Sequence, residues 1–294
     1  MQPSYPTAPS SDPFWPVLQY PPVTLVVGLV AIGAAGVLTA ALLQRVGIPH
    51  QANQPGHYLA LALQIAGTLG AYRLFTRFVE HRPNLEFARP DSLRELAAGL
   101  VAGFVLFSAV VGVIALFGGY HVVGRDPSAT LLPVLAVGFG PGFIEEIIAR
   151  GLIFRLVEQW LGSWVALAVS AALFGAAHLG NPNATWLAGT AIALEAGIML
   201  AALYMLTRRL WAAIGLHAAW NMTQGGVYGI PVSGSPFHGL LRDRPAGPVL
   251  LTGGAFGAEA SLPAVLICGA FGAALVAACI AHDRVVPFLP RRRG

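Results

Sequence analysis

The stretch AAGLVAGFVLFSAVVGVIALF, residues 97–117, carries no charged side chain over its whole length. A transmembrane helix needs about 20 predominantly apolar residues, and runs of this kind recur along the chain. We therefore predict an all-α fold, a polytopic transmembrane helical bundle with about eight spans. The predicted spans cover residues 24–43, 58–72, 97–117, 130–146, 161–178, 186–206, 210–223 and 262–281.

Composition supports a membrane protein and gives no sign of a nucleic-acid partner. The 294 residues are 56% hydrophobic and 10% charged, whereas a soluble domain is about a quarter charged. All 17 basic residues are arginines, and they are spread over short loops instead of forming a basic patch. Cys268 and Cys279 lie roughly 16 Å apart on one predicted helix. That is too far for a disulfide, so we interpret both as packing or lipid-facing residues.

The chain divides into four predicted segments. Residues 1–23 form a flexible tail without the basic start of a signal peptide. Residues 24–129 hold the first three spans and a charged connector, with a surface helix near residues 91–96. Residues 130–234 form the candidate catalytic core, and residues 235–294 hold a loop, the final span and an arginine-rich tail. A cytoplasmic N-terminus puts most arginines on the cytoplasmic side, so we expect a bacterial inner membrane protein with both termini in the cytoplasm.

The segment GPGFIEEIIAR, residues 140–150, places Glu145 and Glu146 inside an apolar helix. A buried charge there costs at least ~2.5–3.5 kcal/mol, so both carboxylates need an explanation. Glu146 and Arg150 are i, i+4 neighbours that can pair, but Glu145 points about 100° away from that partner. Pro141 is expected to kink the helix, which favours a hydrated cavity. The alternative, a charge pair that only locks the bundle, explains Glu146 and Arg150 but not Glu145.

Two further spans carry polar side chains. His178 ends one span, and His217 and Asn221 share a helix face of another. Taken alone, His178 is more simply an interfacial histidine, and the other two an interhelical hydrogen-bonding pair. Together with Glu145 they supply a carboxylate base, an imidazole acid and an amide donor, which hydrolysis requires. No His-Glu-x-x-His or Gly-x-Ser-x-Gly motif occurs, and no aspartate lies in a predicted span, so other protease classes fit poorly.

Three short motifs resemble a known family. EExxxR at residues 145–150, FxxxH at 174–178 and HxxxN at 217–221 resemble, in order and spacing, the motifs of the CPBP membrane proteases. This CAAX-protease and bacteriocin-processing family is related to the type II CAAX prenyl endopeptidase. GIPVSG at residues 229–234 resembles a stretch that follows the third motif in bacterial members. The resemblance covers residues 130–234 and implies an intramembrane endopeptidase that cleaves a membrane-associated protein or peptide.

The resemblance also implies a role for each motif residue. Glu145 would activate a water for attack on the scissile carbonyl. His178 would help to hold that water and pass its proton to the leaving amine. Glu146 and Arg150 would support the site by orienting Glu145.

The third motif bears on the oxyanion and on a metal. His217 and Asn221 would stabilise the oxyanion. Glu145, His178 and His217 would also make a plausible zinc site, so both versions stay open. We favour a water activated by glutamate without a bound metal. One reason is that Asn221 shares the helix face of His217, which resembles a pair of hydrogen-bond donors. The other is that a metal-bound histidine usually donates its second N–H to a carboxylate or carbonyl. The obvious carboxylate, Glu146, lies beside only one element of the site, and Arg150 can already occupy it.

Two other functions remain open alternatives. A non-catalytic immunity or scaffolding protein would keep the bundle without cleaving, but the presence of all three motifs favours an enzyme. A proton-coupled transporter would use the same Glu and His residues as a relay, but the chain lacks repeated, symmetric broken helices. Glu195 lies in a predicted span outside the motifs. We interpret it as a structural hydrogen-bonding group. The alternative is that it lines the same chamber as the motif residues.

Overall fold

The computed structural model describes residues 15–48, 54–127 and 129–288 of the chain. Residues 1–14 of the predicted tail and the arginine-rich end at 291–293 lie outside the described residues. The α-helices are α1 Trp15–Leu18, α2 Pro21–Arg45, α3 Pro55–Phe78, α4 Ser92–Leu116, α5 Leu131–Glu146, α6 Arg155–Ala177, α7 Trp186–Ile192, α8 Ile198–Thr207, α9 Trp211–Asn221, α10 Val249–Thr252 and α11 Leu262–Ala281.

Three π-helical segments interrupt this order, and each continues a neighbouring α-helix. They are π1 Ile147–Phe154, π2 Ala193–Gly197 and π3 Met222–Val227. Short 3₁₀ turns occupy Leu85–Phe87, His178–Gly180 and Ala258–Ala260. A π-turn contains an extra residue and leaves carbonyl groups free for other donors, and such turns are frequent at functional sites.

The all-α membrane fold predicted from the sequence is confirmed. Within the described residues, six helical stretches are long and apolar enough to cross a membrane. One of them, Leu131–Gly180, has 50 residues, too long for a single crossing at about 1.5 Å per residue. It breaks at Gly162, which adopts φ 80° and ψ 170°, and α6 folds back so that Ser170 donates to the Ala149 carbonyl of π1 at 3.2 Å. The protein is an integral membrane protein.

One local prediction is wrong. No separate surface helix occupies residues 91–96, because α4 begins at Ser92 and continues without a break to Leu116. Pro141 lies inside α5, where the kink stays a prediction, and a change of helix type follows several residues later, where π1 begins at Ile147. This change of helix type falls next to the two glutamates.

Glycines fix the position of α9, the helix that carries the third motif. A Cβ added at Gly99 or Gly103 of α4 would collide with the backbone of α9 at Ala212 or Leu216. On the other side of α9, a Cβ at Gly142 of α5 would lie 3.2 Å from the Ile214 carbonyl. Small residues let membrane helices approach closely. The motif helix is therefore held tightly between α4 and α5.

The segment that follows α9 folds back into the bundle. Strand β1 (Val122–Arg125) pairs antiparallel with β2 (Leu241–Asp243), and Gly234 donates its N–H to the Phe256 carbonyl at 2.7 Å. The segment ends in the 3₁₀ turn Ala258–Ala260, where Ala258 and Ala260 are buried. This predicted loop is therefore ordered and forms one wall of the bundle interior.

Candidate active site

Glu146 and Arg150 form a fully buried ion pair at the junction of α5 and π1. Arg150 Nη1 donates to Glu146 Oε1 at 2.8 Å, and both side chains are 0% exposed. Arg150 Nη2 donates to the carbonyls of Ala196 and Gly197, at 3.0 and 3.1 Å, where π2 leaves them free. A buried charge is tolerated only when it is paired and hydrogen-bonded, and this arginine meets both conditions.

The same glutamate oxygen holds the histidine of the third motif. His217 Nδ1 lies 2.9 Å from Glu146 Oε1, across 71 residues of sequence. A ring nitrogen that contacts a carboxylate carries the proton, so Nε2 is the nitrogen that is left for other partners. Glu146 therefore contacts both Arg150 and His217, and the support of Glu145 by Glu146 and Arg150 stays a prediction.

Glu145 and His178 face each other across a gap. His178 Nδ1 donates to the Phe174 carbonyl at 2.8 Å, which leaves Nε2 facing Glu145 Oε2 at 3.9 Å. That separation is too long for a direct hydrogen bond and lies within the range that one water can bridge. Among the described residues, Glu145 Oε2 has no hydrogen-bond partner although it is inaccessible to solvent.

Two cavities meet at His178 and Phe174. The larger has a volume of about 240 Å³ and combines Glu145 and His178 with mainly apolar walls, among them Ile148, Ile153 and Leu173. The smaller has about 20 Å³, room for roughly one water molecule. Its lining also includes His217, Asn221, Glu195 and Glu259.

Asn221 is anchored in the wall of the smaller cavity. Its Nδ2 donates to the Val137 carbonyl of α5 at 3.2 Å, which uses one of the two N–H groups of the amide. Asn221 and His217 are 5% and 8% exposed. The four predicted catalytic residues therefore surround two adjoining cavities that share one histidine.

These motifs lie in a region that a known family shares. Residues 127–223 match the family model of type II CAAX prenyl endopeptidase Rce1-like proteins. The match confirms the resemblance over roughly a third of the chain, the third that contains all three motifs. No curated protein and no solved structure matches the chain. The matched region runs from the start of α5 through α9 and includes π1, which carries Arg150, and π2, whose carbonyls Arg150 contacts.

The donor atoms around the site bear on the version with zinc. Among the described residues, no group of three or more His, Cys, Asp and Glu side chains is arranged to hold a metal ion. Both histidines nevertheless have Nδ1 fixed by an oxygen, the arrangement that usually orients a metal-binding Nε2. Glu146 Oε1 contacts both Arg150 and His217. Its ion pair with Arg150 therefore does not prevent Glu146 from orienting His217 as a metal ligand. The metal-free mechanism stays a prediction.

Two further carboxylates line the smaller of the two cavities, which together we call the chamber. Glu195, on π2, is 1% exposed, and Glu259, on the 3₁₀ turn before α11, is 2% exposed. The structure places Glu195 in the chamber wall, which was the alternative interpretation. Glu259 was not singled out, although it is the only charged residue between Arg244 and Asp283, a signal in an apolar stretch. Burial raises the pKa of Glu259 to about 7.

Proposed function

We propose that this protein is an intramembrane endopeptidase that hydrolyses a peptide bond in a membrane-associated protein or peptide. The observation that carries the proposal is the pair of Glu145 Oε2 and His178 Nε2, 3.9 Å apart in the wall of a largely apolar cavity. A carboxylate and an imidazole at this separation can hold one water between them. The match to an endopeptidase family over residues 127–223 supports the same chemistry.

The proposed reaction needs a base and an acid on the same water. Glu145 removes a proton from the water as its oxygen adds to the scissile carbonyl carbon. The tetrahedral intermediate then breaks its C–N bond, and the leaving nitrogen takes a proton that His178 transfers from Glu145. Both residues end in their starting states, with one water consumed and one carboxyl and one amine product formed.

The oxyanion would meet His217 and Asn221. Asn221 keeps one N–H after its bond to Val137. Because Nδ1 of His217 is held by Glu146, His217 donates to an oxyanion from Nε2 only when the ring carries both protons. Preorganised donors of this kind contribute the largest share of catalysis in many hydrolases.

A zinc ion would be held by Glu145, His178 and His217, and it would supply Lewis-acid activation of the same water. Without a metal, these residues supply only the proton transfers and hydrogen bonds that their own atoms make. We favour the version without metal. The measurement that decides is zinc content of the purified protein together with activity after chelation and zinc add-back. Near-stoichiometric zinc, with activity lost on chelation and restored by zinc, would show that the zinc version is right.

The proposed function is tested by cleavage in a reconstituted membrane. Wild-type protein and Glu145→Gln are each placed in proteoliposomes with membrane proteins of the native host, and new N-termini are identified by mass spectrometry. We expect termini that wild type generates and Glu145→Gln does not. Asp91→Asn, the same acid-to-amide change at a carboxylate that is 66% exposed and outside both cavities, should generate the wild-type set. Identical termini from Glu145→Gln would contradict the proposal.

We also propose that both termini lie in the cytoplasm of a bacterial cell. The native cysteines are buried, so an introduced cysteine reports its own side of the membrane. Leu85→Cys, at a 51% exposed position in the charged connector, should be protected from an impermeant thiol reagent in intact cells. Ser235→Cys, in the segment after α9, should react, and the reverse pattern would invert the orientation.

A further inference from the structure

Glu195 and Glu259 reach the small cavity from two different elements of the fold. Glu195 comes from π2 and Glu259 from the segment that folds back after α9. Both line the cavity together with His178, His217 and Asn221. The proposed reaction uses neither carboxylate, so their place beside the oxyanion site needs its own explanation.

Neither carboxylate has a basic ion-pair partner among the described residues. Glu259 Oε1 accepts the backbone N–H of Ser233 at 2.5 Å, and Glu195 has the thiol of Cys268 as a hydrogen-bond neighbour. Arg150 lies near Glu195, because it contacts π2, but its hydrogen bonds go to Glu146 and to two π2 carbonyls. The titratable groups that face the pair are therefore His178, His217 and Cys268.

Two acceptor atoms beside the pair are left without a partner. Glu195 Oε2 and Gln224 Oε1 are both buried, and neither makes a hydrogen bond among the described residues. Gln224 is 0% exposed, and its amide nitrogen is already bonded to the Pro231 carbonyl at 2.5 Å. A purely structural polar pair would satisfy its own atoms. Of the two residues, Glu195 lines the cavity that has room for one water, and its unsatisfied oxygen indicates a group that carries a proton or binds that water.

Two buried carboxylates without a cation cannot both stay ionised, because like charges in a poorly solvated site raise each other's proton affinity. At least one proton must therefore lie on the pair. The N–H of Ser233 stabilises the charged form of Glu259, whereas Glu195 Oε2 receives no such bond. The favoured arrangement is a protonated Glu195 beside an ionised Glu259.

We propose that Glu195 and Glu259 are a positioning pair that holds one proton between them and orders the cavity water beside His217 and Asn221. The pair carries a single negative charge in the cavity that His217 and Asn221 also line. The proton on Glu195 prevents a second charge from building up in the chamber. This inference rests on the proposed function for its kinetic part but not for the protonation itself.

The protonation is measured first, and without a substrate. Infrared spectra of the full-length protein in lipid, in H₂O and D₂O at neutral pH, report the carbonyl stretch of a buried protonated carboxyl group. We expect wild type to show this band and the Glu195→Gln/Glu259→Gln variant to lose it. Glu158→Gln is the matched control, because Glu158 is buried but ion-paired with Arg208 and bonded to Ser163, and it should keep the band. A band that survives in the double variant would overturn the proposal, as would a stoichiometric metal ion that wild type binds and the double variant does not.

The positioning role is then measured on a substrate that wild type cleaves. Glu259→Gln removes the negative charge, so kcat should fall by roughly 10-fold, less than the ~100-fold loss typical of a deleted oxyanion donor, with KM little changed. Glu195→Gln should lower kcat less and move the alkaline limb of the pH–kcat profile to higher pH, because its amide has no proton to lose. Equal effects of the two changes, or an unmoved limb in Glu195→Gln, would contradict the pair. Absence of any wild-type cleavage would count against the proposed function and leave the infrared result to decide the pair.

Discussion

Two groups of carboxylates in the molecule differ in how many basic side chains they contact. At the end of α3, Glu80 and Glu86 meet Arg82 and Arg155, two acids with two bases. Arg155 binds both oxygens of Glu80 at 2.7 and 2.9 Å, and Arg82 contacts Glu80 and Glu86 at 3.0 Å each. We call these four residues the paired cluster.

The chamber has more acids than bases. Four acids belong to it: Glu145, Glu146, Glu195 and Glu259. Glu146 contacts His217, and the other three line the two cavities. Among the described residues, Arg150 is the arginine that pairs with one of them, Glu146. Glu145, Glu146 and Glu195 each have an oxygen without a hydrogen-bond partner. Satisfied charges stabilise one arrangement, whereas unsatisfied ones cost stability and are retained where they have another use. The difference separates a structural group of charges from a functional one.

The largest effect is expected from the chamber. Glu145→Gln should lower kcat by at least ~100-fold, the usual contribution of a general base, while the melting temperature stays equal or rises because an unpaired carboxylate is removed. The rate on a purified substrate and thermal unfolding in detergent measure the two quantities. A variant that loses its fold together with its activity would place Glu145 with the structural charges.

The paired cluster should respond in the opposite sense. Arg155→Ala leaves Glu80 and Glu86 with one base between them, and breaking a buried ion pair costs about 3–5 kcal/mol. Thermal or denaturant unfolding in detergent should show this loss, with kcat of the folded fraction close to wild type. Arg45→Ala, which removes an arginine that makes no ion pair among the described residues, is the control. Wild-type stability of Arg155→Ala would remove the distinction between the two clusters.

Glu146→Gln tests a residue that has both a structural contact, to Arg150, and a contact within the proposed active site, to His217. It weakens the contacts to Arg150 and His217 while the side chain keeps its shape. We expect kcat to fall by roughly 10- to 100-fold, in the range of losses for residues that orient a catalytic or metal-binding histidine, and stability to fall as well. Both are measured against Glu145→Gln, which should lose more activity and less stability. The reverse order would show that Glu146 is the base.

The smallest effect concerns pH and stability. The pKa of Glu259 is raised from 4.5 to about 7 by burial, so the folded state binds this proton more tightly than the unfolded state does. Its stabilising contribution is therefore complete below about pH 4.5 and is lost as the pH rises to 7 and above. The difference in melting temperature between wild type and Glu259→Gln should change across this window. A difference that is constant from pH 4 to 8 would argue against a raised pKa of Glu259.

The sequence determined the features that depend on local composition and spacing. Long apolar runs predict membrane helices because an uncharged segment of about 20 residues is stable in a bilayer only as a helix. The pairing of Glu146 with Arg150 follows from i, i+4 spacing on one helix, and the motifs needed no structure to be recognised. The unpaired state of Glu145 follows from the same helical geometry.

Tertiary structure alone decided which distant groups meet. His217 reaches Glu146 across 71 residues of sequence, and Glu259 reaches the chamber because the segment after α9 folds back into the bundle. The π-helices were not predicted either, since their extra residue is stabilised by partners such as Arg150 on other helices. Hydrogen bonds between helices depend on packing distance and register, which the order of residues along one helix does not specify. For that reason the sequence identified the reactive side chains, and only the fold decided which of them share a proton, a charge or a water.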